Sequence, residues 1–192
     1  MGGSYNLVSE KEKQYPLLET SPFPSDKKYQ WIRLKFEEVY NLMHKVSLRL
    51  LEYMATSLGL DKHTFHPWFE TDSMSTFRAI HYLPRSSGVV DSTKLDESGR
   101  ILTAPEHADS GFITILSTFG FPGLQVEIDG TYKSVKPTHN ALVVNLGTVF
   151  SRISGYKLKA TRHRVLDIGI ERFSSPFFFR PKYSAMIPRN LV

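Results

Sequence analysis

The chain has 192 residues, a formal net charge of +5 and no cysteine. That length suits one domain with a sizeable core. The missing thiols exclude disulfides and thiolate metal sites, so any iron or zinc must be held by histidine and carboxylate.

Residues 1–24 read as a loop or linker region, broken by Pro16, Pro22 and Pro24. Residues 25–70 read as a helical support segment. Ser25 or Asp26 can cap a long helix running to about Leu58, and Gly59 is a natural stop. Trp31, Leu34, Val39, Leu42, Val46, Leu50 and Met54 recur at three-to-four spacing and are expected to face the core. Asp61 to Glu70 is expected to form a short second helix.

From residue 71 to 192 the pattern becomes β. Phe77–Tyr82, Gly111–Leu116, Leu124–Ile128, Tyr132–Val135, Ala141–Leu146, Thr161–Ile168 and Ser175–Phe179 are short β-branched or aromatic runs separated by turn formers. Asp129-Gly130 signals a tight hairpin. Arg85 to Thr103 is a long polar insert, expected to loop over the mouth of the site. The fold class implied is α+β, with a jelly-roll core behind a long N-terminal support helix.

The chemistry gathers around three residues. In a strand, side chains two apart share a face, so His107 and Asp109 can grip one ion while Ala108 points away. His163, in a β-rich run, can supply a third ligand. Two imidazoles and one carboxylate make the facial triad that holds Fe(II) and leaves positions open for substrate and dioxygen. A His-x-Asp pair by itself often arises by chance. On the residues alone His107, Asp109 and His163 are candidate metal ligands and a candidate catalytic centre, and the family resemblance below is what makes them the expected ones. His44, His63, His66, His81 and His139 lack a partner at ligand spacing in the sequence and are read as structural. The basic residues are scattered over Lys11–Lys28, Arg33–Arg49 and Lys133–Lys159. This argues against a nucleic-acid partner. No apolar run approaches a membrane span and no signal-peptide core opens the chain, so no membrane partner and a cytoplasmic location are expected. The oligomeric state is left open.

These segments, taken in order, resemble the Fe(II)- and 2-oxoglutarate-dependent dioxygenases, in the branch that includes isopenicillin N synthase and the plant flavonoid and gibberellin oxygenases. The resemblance runs over about residues 15–188. It is carried by Glu106 to Leu116 around the first two ligands, Gly123 to Val126 with Asp129-Gly130, Ala141 to Gly147, Lys159 to Val165 around His163, and Arg172-Phe173-Ser174. It implies that the jelly roll is a double-stranded β-helix. It further implies an Fe(II) and 2-oxoglutarate enzyme that hydroxylates or desaturates a small organic molecule with O2, releasing succinate and CO2, with ascorbate as a reductant.

By the same resemblance, Arg172 anchors the distal carboxylate of 2-oxoglutarate through its planar donor fork. Ser174 adds a hydroxyl from the same face, and Tyr82 completes the clamp. Arg78 and Phe178 match positions that often face substrate or cosubstrate, although a surface arginine and a core aromatic are equally good readings. Dioxygenases of alkylated nucleic acid follow their last histidine with a different pair of arginines, so Arg172-Phe173-Ser174 points to small molecules.

The chain departs from the family at Thr148, commonly aspartate, and Leu83, commonly proline. It also lacks an additional N-terminal segment before residue 15, so a fragment of a longer protein with an open mouth is expected. Two alternatives share these features: an oxidase on the same scaffold that uses O2 without 2-oxoglutarate, and a cupin-like binding module with a structural metal.

Overall fold

The computed structural model describes residues 21, 23–71, 73–85 and 94–192, together with the backbone of 2–5. The loop readings of residues 6–20 and 86–93, Pro16 among them, and of Pro22 lie outside the described residues.

Asp26 opens the helical region by accepting a hydrogen bond from the Lys28 amide over a three-residue 3-10 turn. Helix α1 then runs Gln30–Ser57 and ends one residue before Leu58, which is followed by Gly59 at φ +76°. Its core face differs from the expected stripe. Tyr40, Ser47, Leu51 and Ala55 are buried, with Phe36 and Met43 packed alongside, whereas Trp31, Leu34 and Leu42 are exposed and Val46 marginally so. Of the expected stripe, Val39, Leu50 and Met54 pack against the core. Amphipathic spacing identifies a helix but not which of two partly apolar stripes meets the sheet. Aromatic partners decide it here, because Phe36 and Tyr40 meet Phe77 and Phe177, each at 5.3 Å between ring centroids.

The expected second helix is a run of turns ending in a 3-10 turn, His66–Trp68. Thr64 bonds back to Asp61, His66 to His63 and Trp68 to Phe65, all at three-residue spacing. Pro67 has no amide proton and cannot extend a four-residue ladder.

Among the described residues there are nine strands: β1 Gly2–Tyr5, β2 Thr76–Tyr82, β3 Leu102–His107, β4 Ile113–Ser117, β5 Leu124–Ile128, β6 Thr131–Ser134, β7 Val143–Leu146, β8 His163–Leu166 and β9 Arg172–Phe179. They form two antiparallel sheets, one in the order β1-β2-β9-β4-β7 and one in the order β3-β8-β5-β6. A short helix, α2 Thr148–Ile153, sits between β7 and β8. Strand β1 corrects the loop reading for residues 2–5. It pairs with β2 through backbone bonds, which a glycine-rich segment makes without the side-chain pattern that announces a strand. The polar insert likewise ends in β3, so its last residues belong to a sheet. At the hairpin between β5 and β6, Asp129 and Gly130 both take positive φ, as the sequence signal requires.

Strict alternation along β9 divides the molecule into two layers. Phe177 and Phe179 face the helical side and are fully buried, while Arg172, Ser174, Pro176 and Phe178 line a cavity between the sheets. On the helical side Phe65, Phe69, Phe112 and Phe150 complete an aromatic core. Phe69 stacks on Phe179 at 4.1 Å and Phe65 meets Phe150 edge-on at 5.3 Å. Burying each such ring stabilises the fold by about 1.5–3 kcal/mol. Among the described residues no helix is long and apolar enough to cross a membrane.

Candidate metal centre

The cavity between the sheets has a volume of about 200 Å³, and both sheets contribute to its walls. Ile80 and Tyr82 of β2, Leu124 and Val126 of β5, and Val143 and Asn145 of β7 follow the same inward phase as the β9 residues.

Strand β3 is the exception. Ala104 and His107 both line the cavity although they are three residues apart, a spacing that plain alternation would send to opposite faces. A register irregularity between them resolves this, pairing Ala104 with Val165 and His107 with His163. Pro105, which has no amide to give to the ladder, lies inside that irregularity. The sequence expectation that His107 and Asp109 share one strand is thus corrected: β3 ends at His107, and Asp109 lies in the turn before β4.

Three ligand-bearing side chains meet there. Oδ1 of Asp109 is 3.7 Å from Nε2 of His107 and 3.8 Å from Nε2 of His163, and the donor atoms of all three lie within 4.8 Å of one another. Each imidazole is oriented from behind. Nδ1 of His107 lies 2.7 Å from the Pro105 carbonyl oxygen and Nδ1 of His163 lies 3.1 Å from that of Thr161. A carbonyl only accepts, so Nδ1 carries the proton in both rings and Nε2 keeps its lone pair for an ion.

Asp109 is held in the same way. Thr114 Oγ1 donates to Oδ2 at 2.6 Å and Asn145 Nδ2 donates to the same oxygen at 2.8 Å, leaving Oδ1 towards the histidines. The donor set is two imidazoles and one carboxylate with one side open to the cavity, which fits a divalent transition metal.

The flanking residues fix the strands that carry the histidines. Glu106 and Arg162, each one residue before a histidine, form an ion pair across β3 and β8. Arg164, one residue after His163 and therefore on the opposite face, is buried. It donates to Gln125 at 2.8 Å and to Glu97 at 2.5 and 2.8 Å, and lies 3.9 Å over the Tyr132 ring. The Arg164 guanidinium holds the Glu97 carboxyl down at about 2, with backbone hydrogen bonding adding to the effect.

The cavity's other polar end is Arg172. Tyr82 and Arg172 face each other across the β2–β9 register, as do Ile80 and Ser174. The guanidinium carbon lies 3.6 Å over the Tyr82 ring and Nη2 donates to Thr103 at 3.3 Å, while the Ser174 hydroxyl donates to the Tyr82 oxygen at 3.3 Å. Arg172 is 5 % exposed and makes no ion pair among the described residues. A permanent cation so enclosed calls for an anion.

Every residue expected at the site from the sequence therefore lines one cavity: His107, Asp109 and His163 at one end, Arg172, Ser174 and Tyr82 at the other, with Arg78 and Phe178 also on its wall. Thr114 and Asn145 join them on the cavity wall, and Thr103 supports Arg172 through a hydrogen bond, none of the three being marked by any sequence motif. Asn145 does carry a signal, being the one polar residue in the strand Val143–Leu146. His63 and His66 correct the reading of the remaining histidines as without partners, since both come within ligand distance of Glu52. That cluster joins α1 to the turns after it, a proximity that sequence spacing does not reveal.

The chain is similar to proteins of one known family. The 2OG-Fe(II) oxygenase superfamily model matches residues 75–181. Isopenicillin N synthase of Streptomyces clavuligerus is 29% identical over 90% of this chain and 52% of its own length. The 2-oxoglutarate-dependent dioxygenase citB of Monascus ruber is 34% identical over 77% of this chain and 44% of its own. The crystal structure of a 2OG-Fe(II) oxygenase family protein from Caulobacter crescentus shares the fold, with a TM-score of 0.78 at 25% identity, covering 97% of this chain and 58% of that one. The chain spans about half the length of the curated relatives it matches.

Proposed function

This chain belongs to the 2OG-Fe(II) oxygenase superfamily, and from that premise we propose that it carries the Fe(II) and 2-oxoglutarate centre of an oxygenase acting on a small organic molecule. In this reading the two sheets are the halves of a double-stranded β-helix. His107, Asp109 and His163 hold Fe(II), and Arg172, Ser174 and Tyr82 receive the distal carboxylate of 2-oxoglutarate. The bound iron, with 2-oxoglutarate and O2, supplies the oxidising chemistry that hydroxylates or desaturates substrate and yields succinate and CO2.

The rest falls to the protein's own side chains. Pro105 and Thr161 accept the Nδ1 protons and aim both Nε2 lone pairs at one point. Thr114 and Asn145 keep Asp109 in a single orientation. Arg172 fixes an anion by charge and planar geometry. Leu116, Leu124, Val126 and Val143 exclude water around the reacting atoms, which strengthens each electrostatic contact inside.

The observation that carries the 2-oxoglutarate reading is the enclosed Arg172, without an ion pair among the described residues, on the same cavity as the triad. The decisive experiment is anaerobic titration of the Fe(II) protein with 2-oxoglutarate. A visible metal-to-ligand charge-transfer band is expected, together with succinate release on admitting O2. His107→Ala and His163→Ala should each abolish stoichiometric iron binding. Iron binding without the band would replace this reading with the oxidase that uses O2 alone. Undiminished iron binding in both variants would remove the triad assignment.

A further inference from the structure

A second group of ligand-type side chains lies on the helical side of the molecule, outside the cavity between the sheets. Glu52 is in the last two turns of α1, and His63 and His66 are in the turns that follow it. We propose that these three side chains form a separate divalent-metal site, suited to zinc, that pins the end of α1 to the segment 61–70.

The geometry comes first. The donor atoms of Glu52, His63 and His66 lie within 4.8 Å of one another, and Oε1 of Glu52 is 3.1 Å from Nε2 of His66. Tetrahedral ligands bound at zinc distances are about 3.3 Å apart, so one pair already has that spacing and His63 needs only a small side-chain movement. The two imidazoles meet edge to face, with ring centroids 4.7 Å apart, an arrangement that lets both direct a nitrogen towards one point.

The second observation is electrostatic. Arg49 occupies Oε2 of Glu52 at 2.7 Å, which leaves Oε1 turned to the histidines. The Nε2 atom of His66 is buried and makes no hydrogen bond of good geometry, despite its nearness to that oxygen. A buried imidazole nitrogen facing a carboxylate without a proper hydrogen bond is well matched to an ion between them. The exposed His63 leaves an entry path and room for water as a fourth ligand.

The segment so pinned matters to the fold. Phe65 and Phe69 lie between or beside the two histidines and are fully buried in the aromatic core, Phe69 stacking on Phe179 of β9. Because these turns hold no four-residue helical ladder, a metal cross-link to α1 would stabilise the seat of both rings.

The test uses the full chain carrying His107→Ala and His163→Ala, which removes the cavity triad and keeps the two sites distinguishable. Zn(II) calorimetry should show one ion retained per chain, Co(II) should give the intense visible bands of a tetrahedral site, and Zn(II) should raise Tm. Adding His63→Ala, a change at an exposed position, should weaken zinc by at least about tenfold and cancel the Tm rise. Glu52→Gln, which keeps shape and loses charge, should also weaken it. Loss of all zinc in the His107→Ala/His163→Ala protein, or equal zinc affinity after His63→Ala, would overturn the proposal and leave Glu52 and His66 as an ion pair only.

Discussion

Thr114 and Asp109 are joined by a 2.6 Å hydrogen bond in which the hydroxyl of one sheet strand fixes a carboxylate carried by the turn before it. Both residues are buried, so this bond, together with the Asn145 amide, selects which oxygen of Asp109 faces the two imidazoles. Thr114→Val keeps the volume and removes the donor. A lost hydrogen bond to a charged group costs about 1.5–3 kcal/mol. Metal affinity measured by calorimetry should fall by about 10–100-fold while thermal stability changes modestly. Asn145→Leu should do the same, and the two substitutions should be non-additive because they share one oxygen.

The enclosed guanidinium gives a second expectation. Arg172→Ala should weaken 2-oxoglutarate by about a hundredfold or more, since a charge-assisted pair in a confined pocket contributes a few kcal/mol. Iron affinity should be nearly unchanged. Arg172→Lys retains charge but loses the fork, so only partial recovery should appear in the charge-transfer titration. Equal cosubstrate affinity in all three proteins would show that the anion binds elsewhere.

Gly147 forms the backbone seat of the ligand turn. A Cβ there would lie 2.1 Å from the Gly111 carbonyl oxygen, while the Gly147 amide donates to Phe112 and the next amide, of Thr148, donates to the Asp109 carbonyl at 2.7 Å. Backbone cannot yield as a side-chain tip can. Gly147→Ala should therefore destabilise the protein by about 1–3 kcal/mol or more in urea unfolding, and lower metal affinity by displacing Asp109.

Acid sensitivity should trace in part to Glu97. Arg164 and the backbone hold its carboxyl at about 2, below the ordinary 4.5. A carboxyl depressed in the folded state stabilises fully above its unfolded value and loses that contribution as pH falls from about 4.5 towards about 2. Glu97→Gln should consequently be less stable than the parent at neutral pH, and the difference should close across that acid window. Parallel stability–pH curves for parent and variant would refute the assignment.

The sequence alone determined the parts that local chemistry encodes. The helix and its stop at Gly59, the Asp129-Gly130 hairpin and most of the short strands follow from periodicity and turn residues, which depend on neighbours a few positions away. The residue types at 107, 109, 163 and 172 likewise carry their chemistry wherever they are placed. Tertiary structure decided what depends on distant partners. It set which stripe of α1 is buried, through Phe77 and Phe177, and it turned His107 inward by a register irregularity over Pro105. It chose the oxygen of Asp109 that stays open, through Thr114 and Asn145, and brought Glu52 to His63 and His66. Alternation fixes a face only while the ladder is regular, and a hydrogen bond between residues thirty-six positions apart, as between Asp109 and Asn145, exists only once β7 has paired with β4.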